Sequence, residues 1–357
     1  MLKLKERPRE KYPYYSSKSM NYKILVTLGP SSLSEQIINL IEKQDIYLFR
    51  INLSHTPLDH VEERINEIKK YTDIPICLDS EGAQIRNRIM GEGAVFLRED
   101  SMIKVHFDDV LGDSFNISFS PDYIATQLQI GDEISVDFDA ATIRITEKHK
   151  DYCLAKVIVP GNVGSNKAAD LLNRKLELDP ITEKDKKAIA IGEKYGIKNF
   201  ALSFAGNKDN VKQFRELAGK DSMIISKIES RSGLRNLDGI LEESNEILID
   251  RGDLSRQVPL EKIPFFQRKI ISFARNKMTP VYVATNLLES MIISAQPTRA
   301  EVNDVISTLM DGANGLVLAA ETAVGKFPVK SVEMIRRLMD QLERWTPNTS
   351  IQELMDY

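Results

Sequence analysis

Apolar and polar positions along this chain fall into two rhythms. From Lys23 onward, short β-branched runs alternate with longer stretches whose apolar residues recur every three or four positions. The short runs predict strands over Lys23–Leu28, Ile46–Ile51, Pro75–Asp79, Asn199–Ser203, Met223–Ile228, Glu246–Asp250, Pro280–Thr285 and Gly315–Ala319. The stretches between them predict helices over Ser34–Lys43, Leu58–Lys70, Glu183–Lys194, Asn207–Ala218, Arg231–Glu242, Leu260–Lys277, Arg299–Asp311 and Pro328–Arg344. Strands that alternate with helices form parallel sheets with both faces covered. Eight such units favour a closed (β/α)8 TIM barrel over an open sheet.

One stretch breaks the rhythm. Arg88 to Ser165 reads as β throughout, with strands over Ala94–Leu97, Met102–Val105, Phe115–Ser118, Glu133–Val136, Thr142–Thr146 and Cys153–Val159. Turn pairs such as Gly112-Asp113 and Gly131-Asp132 punctuate them. A structureless loop of that length would be unusual, so an inserted small β domain is favoured. The residues before Asn21 lack periodicity and read as a flexible arm. The predicted organisation is an arm over 1–20, a TIM barrel (α/β) over 21–87 and 166–357, and a small β-barrel lid over 88–165 after the third strand. Without arm and lid about 260 residues remain, near the ~250 typical of such a barrel.

Composition sharpens this picture only a little. Of 357 residues, 42% are apolar and 28% charged, enough for a core and a polar surface. The net charge of -4 gives no global attraction to nucleic acid or to an anionic membrane, so neither is an expected partner. Cys77 and Cys153 sit in no CxxC or Cys/His cluster and read as buried thiols. Apolar runs are far shorter than the ~20 residues that span a bilayer, and Met1 to Lys11 has no signal-like apolar segment. The expected location is cytoplasmic.

In a barrel of this kind, working residues stand at the C-terminal ends of the strands. The second strand ends Phe49-Arg50-Ile51-Asn52-Leu53-Ser54-His55, so Arg50, Asn52 and Ser54 share one face. A guanidinium followed by two oxygen-bearing side chains suits an oxyanion plus a cation. The third strand ends in Asp79 and Ser80, two hard-oxygen donors, and Arg86 follows as a second fork fit for phosphate. The fifth ends Lys227-Ile228-Glu229, again with both charges on one face. A lysine there reads as a Schiff-base amine, a general base or a phosphate clamp. The sixth ends Asp250-Arg251-Gly252-Asp253, and Glu229 with Asp253 suits Mg2+ or Mn2+. A plain salt bridge from Lys227 would leave the clustering of two arginines, one lysine and three acids unexplained. Thr285 ends the seventh strand as a hydrogen-bonding or proton-relaying hydroxyl, while Thr298 and Glu301 form a capping box. Such a mouth suits an anionic, phosphorylated, carboxylate-bearing small substrate and phosphoryl transfer.

These segments, in this order, resemble pyruvate kinase. The resemblance runs from Lys23 to about Trp345 and rests on Thr27-Leu28-Gly29-Pro30-Ser31-Ser32, Arg50-Ile51-Asn52-Leu53-Ser54-His55, Ile225-Ser226-Lys227-Ile228-Glu229, Arg251-Gly252-Asp253-Leu254, Ala284-Thr285-Asn286-Leu287-Leu288-Glu289-Ser290-Met291 and Pro297-Thr298-Arg299-Ala300-Glu301. It implies a barrel with a β lid inserted after the third strand. It implies Lys227, Arg50 and Thr285 as catalytic residues, with Arg50, Lys227, Gly252, Asp253 and Thr285 binding phosphoenolpyruvate or pyruvate. Glu229 and Asp253 would hold the divalent cation. Asn52, Ser54, Asp79 and Ser80 would hold a monovalent cation such as K+, and His55 and Arg86 would meet the nucleotide.

The departures are as informative. Glu81 stands where the family has a lysine, Gln84 where it has a glutamate, and Asp250 where a small residue precedes the arginine. Groups at the phosphoenolpyruvate and metal end are kept, whereas those at the ADP end and the lid hinge have changed. The implied acceptor is therefore ADP or another small molecule. The family continues into a C-terminal regulatory domain that this chain is expected to lack, which suggests a monomer or homodimer. Two alternatives remain: a metal-dependent pyruvate or phosphoenolpyruvate lyase or aldolase on the same barrel, and a non-catalytic regulatory paralogue.

Overall fold

A computed structural model of the chain describes residues 21–137, 140–174, 176 and 178–355. The arm expected over 1–20 lies outside the described residues. The chain divides into two compact units, one formed by Met1–Glu81 with Ile181–Tyr357 and the other by Gly82–Pro180.

The first unit is the TIM barrel. Its strands are β1 (Lys23–Thr27), β2 (Leu48–Asn52), β3 (Ile76–Asp79), β4 (Asn199–Leu202), β5 (Met223–Ile228), β6 (Glu246–Asp250), β7 (Val281–Ala284) and β8 (Gly315–Leu318). Each pairs in parallel with its sequence neighbours, and β1 closes the ring on β8. The period of two sorts the side chains. Leu25, Leu48, Cys77, Ala201, Ile225, Leu248, Tyr282 and Val317, one from each strand, pack into a separate inner cluster. Alternate residues such as Ile24, Phe49, Leu78, Phe200 and Ile247 face outward and pack with the helix faces in the main core. Two residues further along the inner column, the side chains become Thr27, Arg50, Asp79, Ser203, Lys227 and Asp250. The pleat that builds the core therefore also builds the site.

Local signals place the helices. Thr182 with Asp185 and Thr298 with Glu301 close reciprocal capping boxes, the second as the sequence predicts. The helix expected over Arg231–Glu242 is two pieces, Arg231–Arg235 and Leu237–Glu243, joined at Asn236. A Cβ on Gly233 would lie 2.8 Å from the Ala205 carbonyl, so the first piece packs close against the backbone that follows β4. The helix expected from Leu260 starts at Ile263, after a 3-10 turn over Leu260–Lys262, with Pro264 in its first turn. A short helix over Arg251–Gln257, absent from the sequence reading, follows β6 directly.

The second unit is a seven-stranded closed barrel. Around the ring come Tyr152–Val159, Met102–His106, Asn116–Ser120, Ile85–Asn87, Ala168–Leu171, Glu133–Val136 and Ala141–Lys148. Ala94–Leu97 and Gly161–Gly164 pair separately. Alternate residues, among them Ile103, Val105, Ile143, Ile145, Ala155 and Val157, fill its core. The unit is wider than the predicted 88–165. Ile85–Asn87 pairs with Ala168–Leu171 and Asn116–Ser120, and those short strands are needed for closure. Cys77 and Cys153 are both buried free thiols. No helix among the described residues is long and apolar enough to cross a membrane.

Candidate functional site

Lys227 organises the mouth of the large barrel. Its ammonium lies 2.8 Å from Glu229, 3.3 Å from Asp79 and 3.8 Å from Asp250, and it donates to the Ser203 hydroxyl at 3.1 Å. Burial alone would lower its pKa, but Asp79, Glu229 and Asp250 outweigh burial and hold it above the ordinary lysine value. A permanently charged, immobilised ammonium is a poor Schiff-base nucleophile and a good anion clamp.

Arg50 stands beside it. Its Nη1 meets Asp79 Oδ2 at 2.5 Å, and its Nε donates to Thr27 Oγ1 at 2.8 Å. Asp79, wholly buried, thus bridges both cations through one oxygen while its other oxygen accepts from Ser203 at 3.3 Å. Ser80 is also buried, and its hydroxyl and carbonyl oxygens accept from Ser203. Asn52 Oδ1 accepts the Ser54 amide at 2.9 Å.

Glu229, Asp250 and Asp253 bring one carboxylate oxygen each within 4.8 Å of the others. Glu229 is fully buried and accepts the Phe204 amide at 2.6 Å through Oε2. Its Oε1 sits close to Lys227 yet off the line of a hydrogen bond, and so accepts none. Burial, opposed by Lys227 and aided by Asp253 and Asp250, pushes the Glu229 carboxyl up to about 8. Burial and Asp250 likewise raise Asp253, which is held by Arg256 at 3.0 Å. A buried carboxylate oxygen without a hydrogen bond, in a set of hard donors that resist sharing their charge, fits a divalent cation such as Mg2+ or Mn2+.

Thr285 reaches this group through Asp250, to which its hydroxyl donates at 2.6 Å. Its backbone has φ 76°, the left-handed region that a β-branched residue seldom adopts. Arg251 secures it there: Nε and Nη2 donate to the Thr285 carbonyl at 3.1 and 2.7 Å, and Nη1 pairs with Asp304 at 2.7 Å. A Cβ on Gly252 would approach Thr285 Cγ2 to 2.8 Å, so the Arg251-Gly252-Asp253 turn needs its glycine.

The residues predicted at this mouth thus gather: Arg50, Asp79, Lys227, Glu229, Gly252, Asp253 and Thr285 are linked by contacts. His55 follows β2. With Arg50, Asn52 and Pro30 it lines a cavity of about 460 Å³ floored by Leu28, Leu33 and Ile68. Arg86 belongs to the second unit, where it donates to the Asn166 carbonyl at 2.7 Å. Two members were missed. Ser203 directly follows β4, and the strand-end rule applied to the other strands finds it. Asp250 stands out in the sequence only as a departure from the resembled family, with nothing local to mark its contacts.

The sequence family described as pyruvate kinase, barrel domain, matches residues 19–332. The chain is similar to the pyruvate kinase of Bacillus licheniformis, 32% identical over 332 residues that make up 90% of this chain and 57% of that protein. It is 31% identical to the Thermotoga maritima pyruvate kinase, covering 90% of this chain and 71% of that one. For the Methylorubrum extorquens pyruvate kinase the identity is 33%, over 92% and 70% respectively. The chain thus spans between about half and three quarters of the length of these relatives.

Proposed function

The chain belongs to the pyruvate kinase family, and from that premise we propose that it is a phosphotransferase. It moves a phosphoryl group between an enol phosphate of the phosphoenolpyruvate/pyruvate kind and a small acceptor, ADP or another molecule. The observation that carries this reading is the Lys227 ammonium held among Asp79, Glu229 and Asp250, with Arg50 on the same Asp79.

Phosphoryl transfer needs charge neutralised at the equatorial oxygens and little covalent chemistry. Lys227 supplies a fixed positive charge for the group in transit. Arg50 offers a planar fork for its oxygens, oriented by Thr27 and Asp79. A divalent cation on Glu229 and Asp253 would add the remaining neutralisation. Thr285 offers a hydroxyl for the proton that the enol carbon takes or loses, and Arg251 holds its backbone through the carbonyl oxygen. Asn52, Ser54, Asp79 and Ser80 are the proposed monovalent-cation residues, and His55 and Arg86 the proposed contacts to a nucleotide acceptor. The retained phosphate clamps favour this reading over a lyase, and the complete Lys227/Glu229/Asp253 set favours it over a non-catalytic paralogue. A cytoplasmic monomer or homodimer remains the proposed form.

The test incubates the protein with phosphoenolpyruvate, Mg2+ and a panel of acceptors including ADP, and follows pyruvate by NMR. Lys227→Met should cut transfer by about 10²–10³-fold or more, the scale of losing one preorganised charge. Its circular dichroism should remain that of the parent. Undiminished transfer in that variant, or no pyruvate with any acceptor, would sink the reading.

A further inference from the structure

Next to the two carboxylates suited to a cation stands a third, at a position where the resembled family carries a small residue. Asp250 ends β6 on the inner column, its side chain only 12% exposed. Its Oδ1 accepts both the Thr285 hydroxyl, at 2.6 Å, and the Gly252 amide, at 3.2 Å. Its Oδ2 faces Lys227 at 3.8 Å. Gly252 and Thr285 are the two uncharged donors among the residues expected to hold substrate. The protein's own carboxylate therefore takes the donors that an acidic substrate group would use.

Charge points the same way. Around the mouth, Asp79, Glu229, Asp250 and Asp253 face Arg50, Lys227 and Arg256. With a divalent cation bound and all four acids ionised, these groups and the cation together would carry a surplus of one positive charge. Without Asp250 the surplus would be larger, and the Thr285 hydroxyl and Gly252 amide would be open to an arriving anion. With Asp250 in place, a second free carboxylate on the substrate meets a like charge and finds its donors engaged. A neutral group bearing N–H or O–H finds in Asp250 an acceptor already oriented.

We propose that Asp250 is a specificity-determining residue. It directs the site to a phosphorylated substrate whose far end is a neutral hydrogen-bond donor, such as a carboxamide or a hydroxyl, and away from one with a second free carboxylate. The proposal rests on the phosphoryl-transfer reading and names the substrate class within it. Like charges placed together are a common device for rejecting a competing ligand, alongside the contacts that favour the right one.

Two small probes separate the cases. Oxalate presents carboxylates at both ends, and oxamate replaces one of them with a carboxamide. Each is titrated calorimetrically into the full chain in Mn2+, for the parent, Asp250→Asn and Asp250→Ala. The Asn variant keeps an oxygen to cap the helix that follows and loses the charge, so it serves if the Ala variant does not fold. The oxalate-to-oxamate affinity ratio should rise at least tenfold in each folded variant. An unchanged ratio overturns the proposal while leaving phosphoryl transfer untouched. Absence of binding by either probe to any of the proteins overturns the phosphoryl-transfer reading, and the proposal with it.

Discussion

The large barrel carries buried charge at both ends, and the two ends are built differently. At the N-terminal end of the strands, Glu246 accepts from Lys23 at 3.1 Å, Tyr47 at 3.0 Å and Tyr282 at 2.8 Å. Lys23 also lies 3.6 Å from the centre of the Tyr47 ring. One acid meets one base and two phenols. At the C-terminal end, Asp79, Glu229, Asp250 and Asp253 crowd around Lys227 and Arg50, and one Glu229 oxygen accepts no hydrogen bond. Both clusters grow from the same inner column: Lys23 and Glu246 lie two residues before Leu25 and Leu248, and Thr27 and Asp250 two residues after. The difference is in satisfaction. A closed network locks strands together, whereas a surplus of buried acid favours the binding of a cation. In barrels of this class the first property belongs to the stability face and the second to the working face.

The contrast is broken most severely at Glu246. Glu246→Ala strands the Tyr282 hydroxyl on a side chain with no exposure and removes the partner of Lys23. Leaving the buried Tyr282 hydroxyl unpaired costs on the order of 1–3 kcal/mol by itself, and the part-exposed Lys23 and Tyr47 lose their acceptor as well. Chemical denaturation should show a loss of that order, while calorimetric Mn2+ affinity of the folded protein stays within about twofold. If the cation affinity collapsed and stability held, the two ends would not be separate in function.

At the other end the sensitive variable is pH. The Glu229 carboxyl, raised to about 8, binds a proton in the folded cation-free protein over a range where the unfolded chain has released it. Between its ordinary value and about 8 the folded state therefore holds more protons, so cation-free stability falls as pH rises through that window. Asp253 is shifted in the same direction and adds to the trend, while Asp250 is shifted the other way. A cation displaces the proton. Mn2+ affinity should accordingly rise by up to about tenfold per pH unit and level off near pH 8. Titrations in buffers of different ionisation enthalpy should register proton release below that pH and little above it. Affinity independent of pH from 6 to 8 would mean that Glu229 is not a ligand.

The sequence made the working end more legible than the stable end. Strand-and-helix alternation announces the barrel. Reading each strand two residues past its apolar stretch finds Arg50, Asp79, Lys227 and Glu229, because the pleat keeps one face over short distances. Ser203 escapes only because its strand end was not read by that rule. Asp250 looks like an ordinary acid until Thr285, 35 residues away, is seen donating to it. The Lys23/Tyr47/Glu246/Tyr282 network is formed by four separate segments, and no local pattern links them. The edges of the small barrel are hard to read in the sequence for a similar reason. Ile85–Asn87 is a three-residue strand, recognisable by its pairing with Ala168–Leu171 and Asn116–Ser120 and not by its own sequence.

The finest test of the contrast removes one atom from the stable end. Tyr47→Phe deletes one of the hydroxyls on Glu246 and keeps the ring beneath the Lys23 ammonium. Glu246 would retain Lys23 and Tyr282, so no buried charge would lose its last partner. A hydrogen bond to a carboxylate is worth more than a neutral one, but this network stays closed and the partly exposed ring can relax toward solvent, so the cost falls to about 1.5 kcal/mol, the low end for a charged partner. The denaturation midpoint should fall slightly with its slope unchanged, and oxalate binding should not move. A loss near that of Glu246→Ala would show that the network acts as a single cooperative unit. A small loss would show a redundant clasp, and redundancy is what the working end, where each acid has its own task, does not have.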